Sequence, residues 1–570
     1  MRKSANTPGP PGWSILGVLL GAAGYVLALT PSLLPRTSLT QAAVCALVAM
    51  TGYAIGAIIE GTPGAVVRKI RSRASSSHGA DPHTHAPPHR GRVYWIKVAV
   101  AITALLAAAL FTPRSAGWQV TQLEVTKVQG NAPESVFVIG VTAIMCIVLL
   151  MIARGLRAAG RGFAHLINRW TRGRWPFTIR TILGGLMVFA CVAIVCAIGI
   201  AASFPIFDNV NNKTAGQTQP TSSLRSGGPG SLVSWQSLGN QGRNFVGQGP
   251  AAEQIAQVTD RAAKEPIRTY AGVESADSNK ARAQLAVSDL VRAGGLDRDS
   301  IVAYTPSTNG LVDPISSAAA EYVLGGNVAS VSIQYTVLPS FMSLILSTQQ
   351  SLDAGTQLLS AVRAAVNQRP VGQRPKVYVY GESLGAFGSM APFTGKGVAG
   401  LLDQVDGALW AGPPGNSAYW QEINALSTSG PAWAPIVDDG LVIRYAATPG
   451  GIKEPPKPWG GIRGLFLQNA TDPVVWAAPD LALKRPAWLD APRGPQVPPE
   501  MTWFPIVTFE QVLIDLPPAG AMPPGVGHNY LITIGDAWTG VLQPPFWTEA
   551  NHAKLQTALY EGAADLGLVH

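Results

Sequence analysis

Five long apolar stretches crowd into the first 207 residues: Trp13 to Leu34, Thr40 to Ile59, Val93 to Phe111, Ser135 to Ala153 and Ile182 to Phe204. Each is long enough to cross a hydrocarbon core of about 30 Å as a helix. In that medium a segment must satisfy its own backbone hydrogen bonds, so helices are the expected form. No comparable run follows Phe207. The expected organisation is therefore a five-helix transmembrane domain over residues 1–207, a flexible polar linker over 208–244 that contains SSLRSGGPGSLVS, and a folded domain over 245–570.

The first stretch follows Arg2 and Lys3 and has the look of a secretory leader, but its apolar part is long and the small-residue site at Ala28–Thr30 is followed by Pro31. It is read as a retained anchor. Charge then orients the helices. Arg68, Lys69, Arg71, Arg73, Arg90 and Arg92 lie between the second and third stretches, and Arg157, Arg161, Arg169, Arg172, Arg174 and Arg180 lie around the turn between the fourth and fifth, whereas the loop between the third and fourth carries only Arg114 and Lys127. Because basic short loops stay inside, the N-terminus is expected in the cytoplasm and the C-terminal domain outside an integral plasma-membrane anchor.

Residues 1–207 hold 19 Lys plus Arg against 4 Asp plus Glu, and the remainder holds 23 against 29, so nets of +15 and −6 make up the +9 of the whole chain. The basicity belongs to membrane topology and to contact with the lipid bilayer, not to nucleic acid. All the cysteines, Cys45, Cys146, Cys191 and Cys196, fall in the apolar stretches, so the C-terminal domain is expected to have no disulfide, thiol nucleophile or thiolate metal site. His78, His83, His85 and His89 sit among Ser, Pro and Gly without the spacing of metal ligands and are read as a loop. No phosphate-binding loop, nicotinamide fingerprint, HExxH or EF-hand pattern is present, so neither cofactor nor metal is expected.

Beyond residue 245 short β-rich runs alternate with helical patterns, the signature of a mostly parallel sheet with crossover helices. Strands are expected at 267–273, 300–307, 329–337, 376–380, 407–414, 441–447 and 464–470, with helices over 280–295 and 341–366 among those between. The run KVYVY ends in GESLG, a Gly-x-Ser-x-Gly. With 61 glycines in the chain such a pentapeptide arises readily by chance, so its setting must decide. Here it follows a strand and precedes LGAFGSMAPF, which permits a helix, and this strand-to-helix elbow exposes the hydroxyl of Ser383 as a nucleophile.

A serine needs a base, and in this fold an acid and then a histidine follow it in the chain. Of the three C-terminal histidines, His552 lies in an amphipathic helical pattern and His570 is the last residue, leaving His528 in GVGHNY. For the acid, Asp472 follows the run GLFLQNA, with Asp480 and Asp438 as rivals. An oxyanion would be held by the backbone N–H of Leu384 and by a second donor from the loop STNGLVDP, among Thr308, Asn309 and Gly310, or from VLPS at 337–340.

Together with the membrane part that begins near LTPSLLPR, the segments KVYVYGESLG, GALWAGPPGN, NATDPVVW and GVGHNY resemble the actinobacterial membrane-bound α/β-hydrolase family over nearly the whole chain. The resemblance implies a serine hydrolase domain with Ser383, Asp472 and His528 as nucleophile, acid and base. The expected activity is ester hydrolysis through an acyl-enzyme on a lipid or acylated glycan of the cell envelope. Acyl transfer to a sugar or protein hydroxyl uses the same groups and is separated by product analysis with candidate acceptors. A non-enzymatic lipid- or partner-binding module is the rival of another class, against which stands the survival of Ser, Asp and His in the required order.

Overall fold

The computed structural model describes residues 13–74, 90–214 and 216–568. His78, His83, His85, His89 and His570 lie outside the described residues. The chain divides into two compact units: Met1–Ala193 with Pro479–Pro486 and Pro498–Asp515, and Ile194–Ala478 with Ala487–Val497 and Leu516–His570.

In the first unit the helices are α1 (Ile15–Ala28), α2 (Ser38–Ala74), α3 (Arg90–Thr126), α4 (Ser135–Trp170) and the start of α5 (Phe177–Asn212). Among the described residues four helices, α2 to α5, are long and apolar enough to cross a membrane, where five were expected. The reason lies at Thr30–Pro31: proline disfavours helical backbone in the residue before it, and α1 stops after 14 residues. Below it Ser32, Leu33, Leu34 and Arg36 are buried without being helical. α1 packs on α2 at glycines. A Cβ on Gly52 would stand 2.4 Å from the Leu20 carbonyl oxygen, and one on Gly56 would stand 2.6 Å from the Gly17 nitrogen.

The same unit takes in the helix Val507–Asp515, which the sequence reading left in the C-terminal domain. Its end is fixed by a buried ion pair, Arg36 Nε to Asp515 Oδ1 at 3.0 Å, with Ser32 Oγ donating to the other carboxylate oxygen at 2.5 Å. Gln511 Nε2 donates to the Thr30 carbonyl at 2.9 Å, and Thr51 Oγ1 donates to Glu510 at 2.6 Å. Such buried charges are stable only when paired and hydrogen-bonded, which makes this docking geometrically specific.

The second unit is built on a parallel seven-stranded sheet ordered β1-β3-β2-β4-β5-β7-β6, with β1 Ile267–Ala271, β2 Ser300–Thr305, β3 Val328–Ile333, β4 Lys376–Glu382, β5 Gly407–Ala411, β6 Ile443–Ala446 and β7 Arg463–Leu467. All the expected strands form, each trimmed at one or both ends or extended by a residue or two. Nearly every strand residue is buried, as a parallel sheet covered on both faces requires. One face packs Phe245, Tyr270, Tyr304, Tyr380 and Trp538 with their rings tilted against one another, and Trp410 stacks on Phe466, which stacks on Tyr445, at 4.7 and 4.9 Å. The expected helix at 341–366 divides at Ser347 into Ser340–Leu346 and Thr348–Val366.

The described residues of 208–244, read as a tether, are folded into this unit. Arg225 bridges Arg268 beside β1, Ser226 N donates to the Arg268 carbonyl, and Val233 and Leu238 enter the core. Their order comes from specific polar partners. Asp289 accepts from Ser226 Oγ, Ser231 Oγ and Leu232 N, and Arg243 donates to the carbonyls of Asn212, Trp235 and Gln236.

Candidate active site

All seven strands are parallel, so their C-terminal ends lie on one edge, where loops converge and sites of such sheets are found. β4 ends there at Glu382, and Ser383 turns the chain with φ 55° and ψ −125°, directly into the helix Leu384–Met390. A non-glycine residue at positive φ is strained, and such strain is tolerated where the surroundings fix it. Ser383 N donates to the Ala411 carbonyl at 2.9 Å and its carbonyl accepts from Phe387 N at 3.1 Å. The two motif glycines permit the turn: a Cβ on Gly381 would lie 2.2 Å from the Gly385 carbonyl oxygen, and one on Gly385 would lie 2.4 Å from the Thr305 carbonyl oxygen.

Asp472 and His528, separated by 56 residues, meet with Nδ1 and Oδ2 2.6 Å apart. The acid follows β7 and caps the helix Pro473–Trp476, taking Val474 N on Oδ1 at 2.8 Å. The histidine loop is held to the same turn: Asn469 Nδ2 donates to the carbonyls of Gly527 and Asn529, and Gly527 N donates to Thr471 Oγ1. Asp480 and Asp438, the rival acids, are exposed, and His552 pairs with Asp536 instead.

Leu384 N opens a helix and so has no intrahelical partner, which suits an oxyanion donor. The loop after β2 packs against the elbow through Thr305 and Pro306 and carries Thr308 at φ 44°. Of its candidates, Gly310 has its N–H held by the Ser307 carbonyl at 3.1 Å. In the alternative VLPS loop, Leu338 N is held by Thr336 Oγ1.

Four residues of the site escaped the sequence reading. Tyr530 donates its hydroxyl to Asp472 Oδ2 at 2.6 Å, giving that carboxylate a third partner. Glu382, inside the motif itself, faces the other side of the imidazole, with Oε1 3.8 Å from His528 Nε2. Asp313 caps the helix Pro314–Val323 by accepting from Ser316 N at 2.5 Å. Gly412, at φ 52°, makes room for the ring. All four lie inside segments already singled out in the sequence, Glu382 in GESLG, Tyr530 in GVGHNY, Asp313 in STNGLVDP and Gly412 in GALWAGPPGN, and that nearness was the signal available.

Burial is the largest influence on His528 and favours the neutral ring, yet the Asp472 carboxylate, its hydrogen bond, Glu382 and Asp313 together outweigh it and push the imidazole up to about 9. Burial raises Glu382 above the usual carboxylate range, and burial together with Glu382 raises Asp313 to about 7. Carboxyls of this kind crowd one another, and the imidazolium is the charge that relieves them. Among the described residues no three His, Cys, Asp or Glu side chains group as a metal site.

A strained serine after the central strand, an acid after a later strand and a histidine joined to that acid form the arrangement of an α/β-hydrolase site. The family model for the alpha/beta-hydrolase family matches residues 267–555, more than half of the chain, and the model for the N-terminus of that family matches residues 29–250. The chain belongs to the alpha/beta-hydrolase family. No curated protein and no solved structure matches it.

Proposed function

We propose that the protein is a membrane-anchored serine hydrolase that cleaves esters through an acyl-enzyme on Ser383. The observation that carries this reading is the 2.6 Å bond between Asp472 and His528, on the sheet edge that also presents Ser383 at its strained elbow. Asp472 fixes the ring so that Nε2 is the reacting nitrogen. Neutral Nε2 takes the Ser383 Oγ proton as the oxygen bonds to the acyl carbon. The tetrahedral oxyanion is held by Leu384 N and by Thr308 or Asn309 N. Nε2–H then protonates the leaving alcohol, the carbon–oxygen ester bond breaks, and water repeats the sequence to release the acid.

Membrane anchoring is supported by α2 to α5, of which α4 and α5 expose large apolar side chains such as Val136, Phe189 and Val195. With the basic loops inside, the hydrolase domain faces outward, and an acylated lipid or glycan of the envelope is the substrate class that an anchored site meets. The test is fluorophosphonate labelling of the full-length protein and its Ser383→Ala variant, with the labelled peptide mapped. Labelling of wild type alone, on the peptide bearing GESLG, is expected. Label retained by Ser383→Ala, or none on folded wild type, would reject the nucleophile, and in the second case bound lipid would be sought.

A further inference from the structure

Asp472 occupies Nδ1 of His528, so Nε2 alone can serve the serine, and that atom is buried without a hydrogen-bond partner. The charge in front of it is Glu382 Oε1, at 3.8 Å. Glu382 is the residue before Ser383, on the last position of β4, and its carboxylate is aimed: Tyr380 donates its hydroxyl to Oε2 at 3.1 Å, which turns Oε1 to the ring. Its side chain is half-buried, 24% exposed.

We propose that Glu382 is a positioning residue that competes with Ser383 for Nε2 of His528, holding the imidazolium in a resting state from which loss of a proton releases the base. This rests on the reading of Ser383, Asp472 and His528 as the reacting set. While Nε2 carries a proton it attracts the carboxylate and cannot accept from Ser383. Once the proton leaves, the attraction to Glu382 vanishes, because a neutral nitrogen lone pair and a carboxylate are both acceptors. The serine hydroxyl, a donor, is then the favoured partner.

The charged groups facing the ring come from three elements and have one sign. Asp472 stands beyond β7, Glu382 at the end of β4 and Asp313 at the cap of the helix Pro314–Val323; the Tyr530 hydroxyl is taken up by Asp472. One unit charge at 3.8 Å shifts an imidazole by about one pH unit even in a water-like dielectric. The consequence is an enzyme whose serine is mostly unactivated at neutral pH and gains activity with alkalinity, for a reason separable from the acid.

The experiment measures the fluorophosphonate labelling rate of full-length wild type, Glu382→Gln and Asp313→Asn from pH 5 to 10.5. In wild type the rate rises with pH as the base is freed. Glu382→Gln is expected to move the midpoint down by about one unit and to label several-fold faster at pH 7, and Asp313→Asn to move it the same way by less. A midpoint unchanged in Glu382→Gln, whether the plateau holds or falls, would overturn the proposal, since a purely structural residue alters the plateau without the midpoint. Should wild type fail to label, the function is rejected separately, and nitrogen-15 histidine NMR still reads the coupling. There a His528 titration lowered by about one unit in Glu382→Gln supports it and an unmoved one overturns it.

Discussion

Gly412→Ala is the sharpest perturbation of the proposed site that alters none of its three side chains chemically. A Cβ added at Gly412 would lie 2.2 Å from His528 Cε1, 2.5 Å from Nδ1 and 2.9 Å from Asp472 Oδ2. A carbon pair rests at about 3.5 Å, so the ring and the new methyl must part by roughly 1 Å. Neither side yields freely: Gly412 N is bound to the Leu467 carbonyl at 2.8 Å, and the ring to Asp472 at 2.6 Å. Alanine at φ 52° adds about 1 kcal/mol of backbone strain, and overpacking adds roughly 1–3 kcal/mol. The unit should stay folded with a lowered melting temperature. A ring displaced by about 1 Å should slow fluorophosphonate labelling by about 100-fold. Gly450→Ala, whose Cβ meets nothing within 4 Å, is the control and should label as wild type does. Labelling of Gly412→Ala within about threefold of wild type, at unchanged stability, would refute the argument that this contact positions the base.

Tyr530→Phe removes a hydroxyl from a buried carboxylate and should cost about 1.5–3 kcal/mol in urea unfolding. It should slow labelling less than Asp472→Ala does. Glu321→Gln leaves Arg268, 1% exposed and bonded to Glu321 at 2.7 Å, without its charge partner beside β1, and should destabilise the second unit by about 3–5 kcal/mol, read by urea unfolding. His528, pushed up to about 9 in the folded protein from an unfolded value near 6.5, contributes stability that is complete below pH 6.5 and is lost as pH rises through 9. Wild type should therefore lose melting temperature across that window and His528→Gln should lose less; equal slopes would refute the charged resting ring.

Much of the fold was legible because its code is local. Alternation of β-rich and helical runs located every strand, and the elbow is written in the steric need of Gly381 and Gly385, which the Cβ distances make concrete. The order Ser383, Asp472, His528 is likewise a property of the chain. What the sequence could not carry was pairing at a distance: the packing of the segment before β1 and the capture of Val507–Asp515 both rest on sets of polar bonds between distant residues, which leave no periodicity. A proline at position 31 was visible, yet hydropathy averages over it, and only the backbone shows that α1 stops there.

The sequence by itself determined a chain in two chemically distinct parts, an apolar basic one and a polar acidic one with a parallel α/β sheet and a serine at its elbow, because composition and periodicity report solvent and hydrogen-bond pattern residue by residue. Tertiary structure decided which acid meets the histidine, that Tyr530 supports it, that Gly412 clears its ring and that Glu382 faces its other nitrogen. Those are distances of a few ångströms between residues tens of positions apart, and electrostatic and steric effects depend on that separation in space, which the order of residues does not encode.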